Sequence, residues 1–206
     1  MADKVERRLA AILSADVVGY SRLMGADEEG TLARLKAHRS KLIDLQFSAH
    51  RGRIVKLMGD GVLVEFASVV DAVRCAAAIQ RGMAARNETE DEDRRIVLRI
   101  GINLSDIIFE GDDIHGDGVN VAARMEQLAE PGGICISSDA FRQARGKVEL
   151  GFADLGEQQL KNIAEPVRAY RVLMEAEAAG TLVEQGTPNL FPGHFRKDQG
   201  FVSAGL

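Results

Sequence analysis

The sequence predicts an α+β fold with a ferredoxin-like βαββαβ core and additional strands and helices. Three observations predict it. A dense apolar run over residues 9–18 stops at Gly19, as a strand buried on both faces does. Residues 28–49 then place Leu32, Leu35, Leu42, Ile43 and Phe47 near a helical stripe, with Lys and Arg between them. Two β-prone runs next flank Gly59-Asp60-Gly61, and a Gly/Asp turn between such runs is a strong hairpin signal.

The first run is the first strand, with Asp16 near its end. The helix over 28–49 starts with Asp27, Glu28 and Glu29 at its positive N-terminal end. Residues 53–58 and 62–66 make the hairpin, which sets Asp60 at its tip. A second helix over 68–85 packs through Val73, Ala76, Ala77, Ile79 and Met83, and polar residues 86–95 follow as a loop. Strand material at 96–102 and 106–110 precedes a Gly/Asp-rich loop over 111–118. Residues 119–129 form a helix that stops before Glu130-Pro131-Gly132-Gly133. A short strand at 134–137, a short helix at 139–145 and a closing strand at 167–173 complete a domain over 1–174. Residues 175–206, rich in Gly, Pro and charge and without a period, read as a flexible tail or linker.

Composition narrows the function. With 206 residues, 46% of them hydrophobic, the chain can bury one substantial core. A net charge of −5 argues against nucleic-acid binding, which needs clustered positive charge. Cys75 and Cys135 lie far apart without a CxxC or His partner, so they read as buried apolar residues of a reducing compartment. The N-terminal apolar run is short and interrupted by Ser14 and Asp16, matching neither a signal peptide nor a spanning helix. The expectation is a cytoplasmic domain with no direct membrane insertion.

Asp16 and Asp60, at a strand end and a turn tip, are the carboxylates best placed to hold hard divalent cations. Each alone is an ordinary aspartate, and the neighbours carry the argument. Val17-Val18-Gly19-Tyr20-Ser21 is a strand-to-helix passage whose backbone N–H groups suit phosphate. Lys56 interrupts an apolar strand four residues before Asp60, a costly place for a charge unless the strand is an edge. Asn120 and Arg124, four apart, share one helix face. Lys161, taken alone, is a surface lysine.

Together, Leu13-Ser14-Ala15-Asp16-Val17-Val18-Gly19-Tyr20-Ser21, Lys56-Leu57-Met58-Gly59-Asp60 and the segment from Asp113-Ile114-His115-Gly116-Asp117 to Asn120-Val121-Ala122-Ala123-Arg124-Met125 resemble the catalytic segments of class III adenylate and guanylate cyclases. The resemblance runs from about Arg7 to Leu173 and implies that family's fold. It implies that Asp16 and Asp60 hold two Mg²⁺ or Mn²⁺ ions and that residues 17–21 meet the triphosphate. Lys56 and Asp113 would read adenine, an ammonium suiting N1 and a carboxylate suiting the N6 amino group. Asp112 competes with Asp113 for that role, and spacing to Asn120 favours Asp113. Asn120 would orient the ribose, and Arg124 and Lys161 would stabilise charge on the transferring phosphate and leaving group.

The resemblance also implies a head-to-tail homodimer with ATP as substrate and both sites at the interface. The implied activity is adenylate cyclase. A guanylate or dual-specificity cyclase, and a catalytically silent cyclase-like regulatory domain, are the alternatives.

Overall fold

The computed structural model describes residues 6–110, 113–175 and 178–184, and the backbone alone of Glu6, Glu110 and Asp113. Its strands are β1 (Glu6–Val17), β2 (Arg53–Met58), β3 (Gly61–Phe66), β4 (Leu98–Glu110), β5 (Asp113–His115), β6 (Ile134–Ser137), β7 (Gly151–Gln158), β8 (Val167–Leu173) and β9 (Leu182–Val183). Its α-helices are α1 (Tyr20–Ala26), α2 (Glu28–His38), α3 (Asp44–Ala49), α4 (Val69–Asn87), α5 (Asp117–Leu128) and α6 (Ser138–Ala144). The strands join in one sheet of order β2-β3-β1-β4-β6-β8-β7-β9, with β5 on β4.

The expected βαββαβ core is present. β1 pairs antiparallel with β3 on one side and with β4 along its length on the other, and β2 pairs with β3. Parallel pairing of β6 with β4 extends the sheet. Because side chains alternate along a strand, β1 feeds two cores. Leu13, Ala15 and Val17 join the large cluster under α2, α3, α4 and α6, whereas Ala10 and Ile12 face the smaller cluster that includes Ala122 of α5. Both cysteines are buried, which pushes each thiol up to about 12.

Several elements differ from expectation for identifiable reasons. The helix over 28–49 is continuous but contains a π turn at Arg39–Ile43. Its buried positions run Thr31, Leu35, His38, then Ile43 and Phe47, and the five-residue step is taken up by that wide turn. β4 is one strand rather than two, since buried Asn103, a polar break in sequence, donates its amide to the Gly118 carbonyl at 3.0 Å. Within the expected loop at 111–118, residues 113–115 fold back on β4 as β5.

β7 carries Asp154 and Gly156, which disguise it in sequence; the Asp154 carboxylate is gripped by Arg168 of β8 and accepts from the Gly156 N–H at 2.8 Å. Ala178 is fully buried and β9 pairs in parallel with β7, so residues 178–184 belong to the packed unit. Residues 185–206 lie outside the described residues. Among the described residues no helix is long and apolar enough to cross a membrane.

Candidate active site

Asp16 stands near the end of β1 and Asp60 in the two-residue turn between β2 and β3, closed by the Met58↔Gly61 pair. Gly59 takes a left-handed φ of 65° there, a conformation glycine adopts without strain. Since β3 pairs with β1 through Ala15↔Val62, the turn is delivered beside the β1 end, with Asp16 Oδ1 3.9 Å from where a side chain at Gly61 would begin, close enough for the Asp16 carboxyl to act on Asp60. Partial burial, then the Asp16 carboxyl, pushes Asp60 up to about 6. Two crowded carboxylates of this kind attract a proton or a cation. Hard oxygen donors with room left for water or phosphate oxygens fit Mg²⁺ or Mn²⁺, and two ligands from the chain leave that room.

Past Asp16 the chain turns through Gly19, left-handed at φ 65°, into α1. Two of the five expected phosphate-facing N–H groups are engaged: Val17 donates to Asp16 Oδ1 at 2.8 Å and Val18 to the Val97 carbonyl at 2.8 Å. The donors left in this passage come from Gly19, Tyr20 and Ser21.

Behind Asp16 lies a group of residues that the sequence reading did not single out. Arg99 of β4 is the direct cross-strand partner of Asp16, its Nη2 3.8 Å from Asp16 Oδ2 and 3.9 Å from Glu126 Oε1. Glu126 of α5 is 7% exposed and accepts from Ser14 Oγ at 3.0 Å. Burial, then the negative charge of Asp16 and Asp60, raises Glu126 above the usual carboxylate range despite Ser14 and Arg99. One local signal existed: Ser14 interrupts an apolar run two residues from Asp16, and so shares its face of the strand. Its contact with Glu126 spans 112 positions and left no trace in local pattern.

Helix α5 is seated closely on the same strands. A side chain at Gly101 would run into the Glu126 backbone nitrogen and the Ala122 carbonyl oxygen, so β4 must be bare there. Met125 and Glu126 face inward, whereas Asn120 is exposed and Arg124 half-buried. At 100° per residue, Asn120 and Arg124 lie roughly 120° and 160° around the helix from Glu126. They point away from the Asp16 side of their own chain. Arg124 Nε donates to the Lys161 carbonyl at 3.2 Å and Nη1 to Gln127 Oε1 at 2.8 Å, which draws Arg124 and the exposed Lys161 into one neighbourhood.

Lys56 is exposed on β2, an edge strand among the described residues, beside a register shift between Ile54 and Lys56. The apparent cost of burying this lysine therefore does not arise. Asp113 pairs through its backbone with Glu110, while its side chain, and all of Asp112, lie outside the described residues. The structure thus joins Asp16 with Asp60 and Arg124 with Lys161, and turns the second group away from the first.

Comparison with known proteins places this architecture. A family model described as the adenylate and guanylate cyclase catalytic domain matches residues 4–174, and the chain belongs to that family. A Rhizobium meliloti (strain 1021) protein named "Putative adenylate cyclase 3" is 51% identical over 168 residues, 82% of this chain and 29% of that protein. The Streptomyces coelicolor adenylate cyclase is 33% identical over 137 residues, 66% of this chain and 34% of its own length. The chain thus spans about a third or less of these relatives.

Among solved structures, an adenylate/guanylate cyclase/hydrolase from Silicibacter pomeroyi matches with 46% identity and TM-score 0.78, covering 82% of this chain and 99% of that one. The adenylyl cyclase CyaB from P. aeruginosa, 24% identical, has TM-score 0.74 over 86% of this chain and all of its own, a likeness of fold.

Proposed function

We propose that this domain is an adenylate cyclase, converting ATP to 3′,5′-cyclic AMP and pyrophosphate by attack of the ribose 3′-hydroxyl on the α-phosphate. The observation that carries the reading is the facing of Asp16 and Asp60 at the strand end, beside the Gly19 turn. Two Mg²⁺ or Mn²⁺ ions held there would supply Lewis acidity toward the 3′-oxygen and the triphosphate.

The chain's own groups do the rest. N–H groups of Gly19, Tyr20 and Ser21 orient the phosphates. Asn120 fixes the ribose for in-line attack. Arg124 and Lys161 lie where charge accumulates on the transferring phosphate and departing pyrophosphate, and fixed cations there lower the barrier. Lys56 donates to adenine N1 and Asp113 accepts from the N6 amino group; guanine, with a donor at N1, would meet the lysine as a like partner.

The outward Asn120–Arg124 face supports a two-chain site: the aspartates of one subunit meet the Asn120, Arg124 and Lys161 of another in a head-to-tail homodimer. Exposed Leu57 and Met58 beside Lys56 offer apolar surface for base or partner. The reading extends to a cytoplasmic enzyme.

Purified protein with Mn²⁺ should form cyclic AMP from ATP, with kcat/KM for ATP above that for GTP. A GTP preference would make it a guanylate cyclase. Nucleotide binding without product would make it a silent regulatory domain.

A further inference from the structure

Arg99 is unusually uncommitted for an arginine at the floor of a site. Its contacts with Asp16 and Glu126, at 3.8 and 3.9 Å, exceed hydrogen-bond length, and its Nε is buried without a hydrogen-bond partner among the described residues. Glu126 is held still by Ser14, and its helix is seated on bare Gly101. A guanidinium midway between two carboxylates, one fixed and the other a proposed cation ligand, can move toward either.

We propose that Glu126 is a positioning residue that holds Arg99 back from Asp16, keeping Asp16 available to divalent cations. Arg99 is the built-in counter-charge that stands in while they are absent. The inference rests on the metal-site reading above. When Glu126 loses its charge, Arg99 closes on Asp16, since a bidentate guanidinium–carboxylate pair is the strongest contact open to it. It then competes with the cation for the same oxygens. When Arg99 loses its charge, the competitor is gone. Removing both restores the starting balance around Asp16.

The test is Mn²⁺ binding to the whole protein, followed by electron paramagnetic resonance of free Mn²⁺ without nucleotide. Glu126→Gln, which keeps an acceptor for Ser14, should weaken binding about tenfold, and Arg99→Gln should tighten it a few-fold. The double variant should return to within about threefold of wild type. With saturating Mn²⁺, Glu126→Gln should regain most of its kcat, a split between cation requirement and turnover that a merely structural lesion would not show. Wild-type affinity in Glu126→Gln, or a double variant weaker than either single, would overturn the proposal. Asp16→Asn is the control: if wild type binds no Mn²⁺, or Asp16→Asn binds it equally well, the metal-site reading fails instead.

Discussion

Two neighbouring regions of this domain are built in opposite ways. At the β1 end, Asp16 and Asp60 meet within the chain, brought together by the β1–β3 ladder and backed by Ser14, Glu126 and Arg99. On the outer face of α5, Asn120 is exposed and Arg124 is met by Lys161 and Gln127, facing away from those carboxylates. One region is assembled by folding; the other is presented for assembly. The contrast teaches that one proposed half of the site is gathered within a single chain, whereas the other half faces outward, as the two-chain reading proposed above requires.

The sharpest way to break the contrast is complementation. Asp16→Ala and Arg124→Ala should each lose on the order of 10²–10³ or more in cyclase rate, since each removes charge stabilisation of the transition state. Mixed in equal amounts, the two inactive proteins should recover about a quarter of wild-type activity, because half the dimers are mixed and each mixed dimer has one intact site. No recovery after mixing and subunit exchange would mean that each chain completes its own site.

A smaller effect is expected on the edge strand β2. Lys56→Glu replaces the donor proposed to meet adenine N1 with an acceptor suited to guanine, and the ATP/GTP ratio of kcat/KM should fall by about 10- to 100-fold. An unchanged ratio would remove Lys56 from base reading.

The smallest effect concerns the packing behind the assembled end. His38, 8% exposed at the start of the π turn, has an Nδ1 without a hydrogen-bond partner among the described residues. Burial first, then the positive charge of Arg86 and Arg34, lowers its pKa against the raising influence of Glu90. The folded protein therefore resists a proton that the unfolded chain accepts below its ordinary 6.5, so this contribution is intact above that pH and fades as pH falls below it. Between pH 7.5 and 5.5 the melting temperature of His38→Gln should drop less than that of wild type. An equal drop would place the acid sensitivity elsewhere.

Local chemistry made much of this legible. The Gly59-Asp60-Gly61 turn, the acidic start of α2 and the apolar run of β1 carry their own signals, and the folded elements match them closely. What stayed hidden depends on distant partners. Asn103 looks like a break until Gly118 accepts its amide, and Asp154 spoils a strand pattern until Arg168 arrives from the next strand. The motif around Asp16, not the aspartate by itself, flagged it, but its backing by Arg99 and Glu126 needed the β4 register and the seat of α5. The π turn was invisible because its stripe still looks helical when read in single turns.

The edge strand β2 has a consequence for solubility. Its Ile54, Leu57 and Met58 are 37%, 52% and 47% exposed, and an unpaired apolar edge is a template for stray strand pairing before any partner covers it. A bulge beside Lys56 and the lysine's own charge are two of the devices that deter such pairing, and both sit in the middle of this strand. The position proposed to choose the nucleobase is therefore also expected to oppose stray edge pairing. Recoding it for another base is safest with a charged residue, whereas Lys56→Val should shift freshly made protein from the soluble fraction to the pellet.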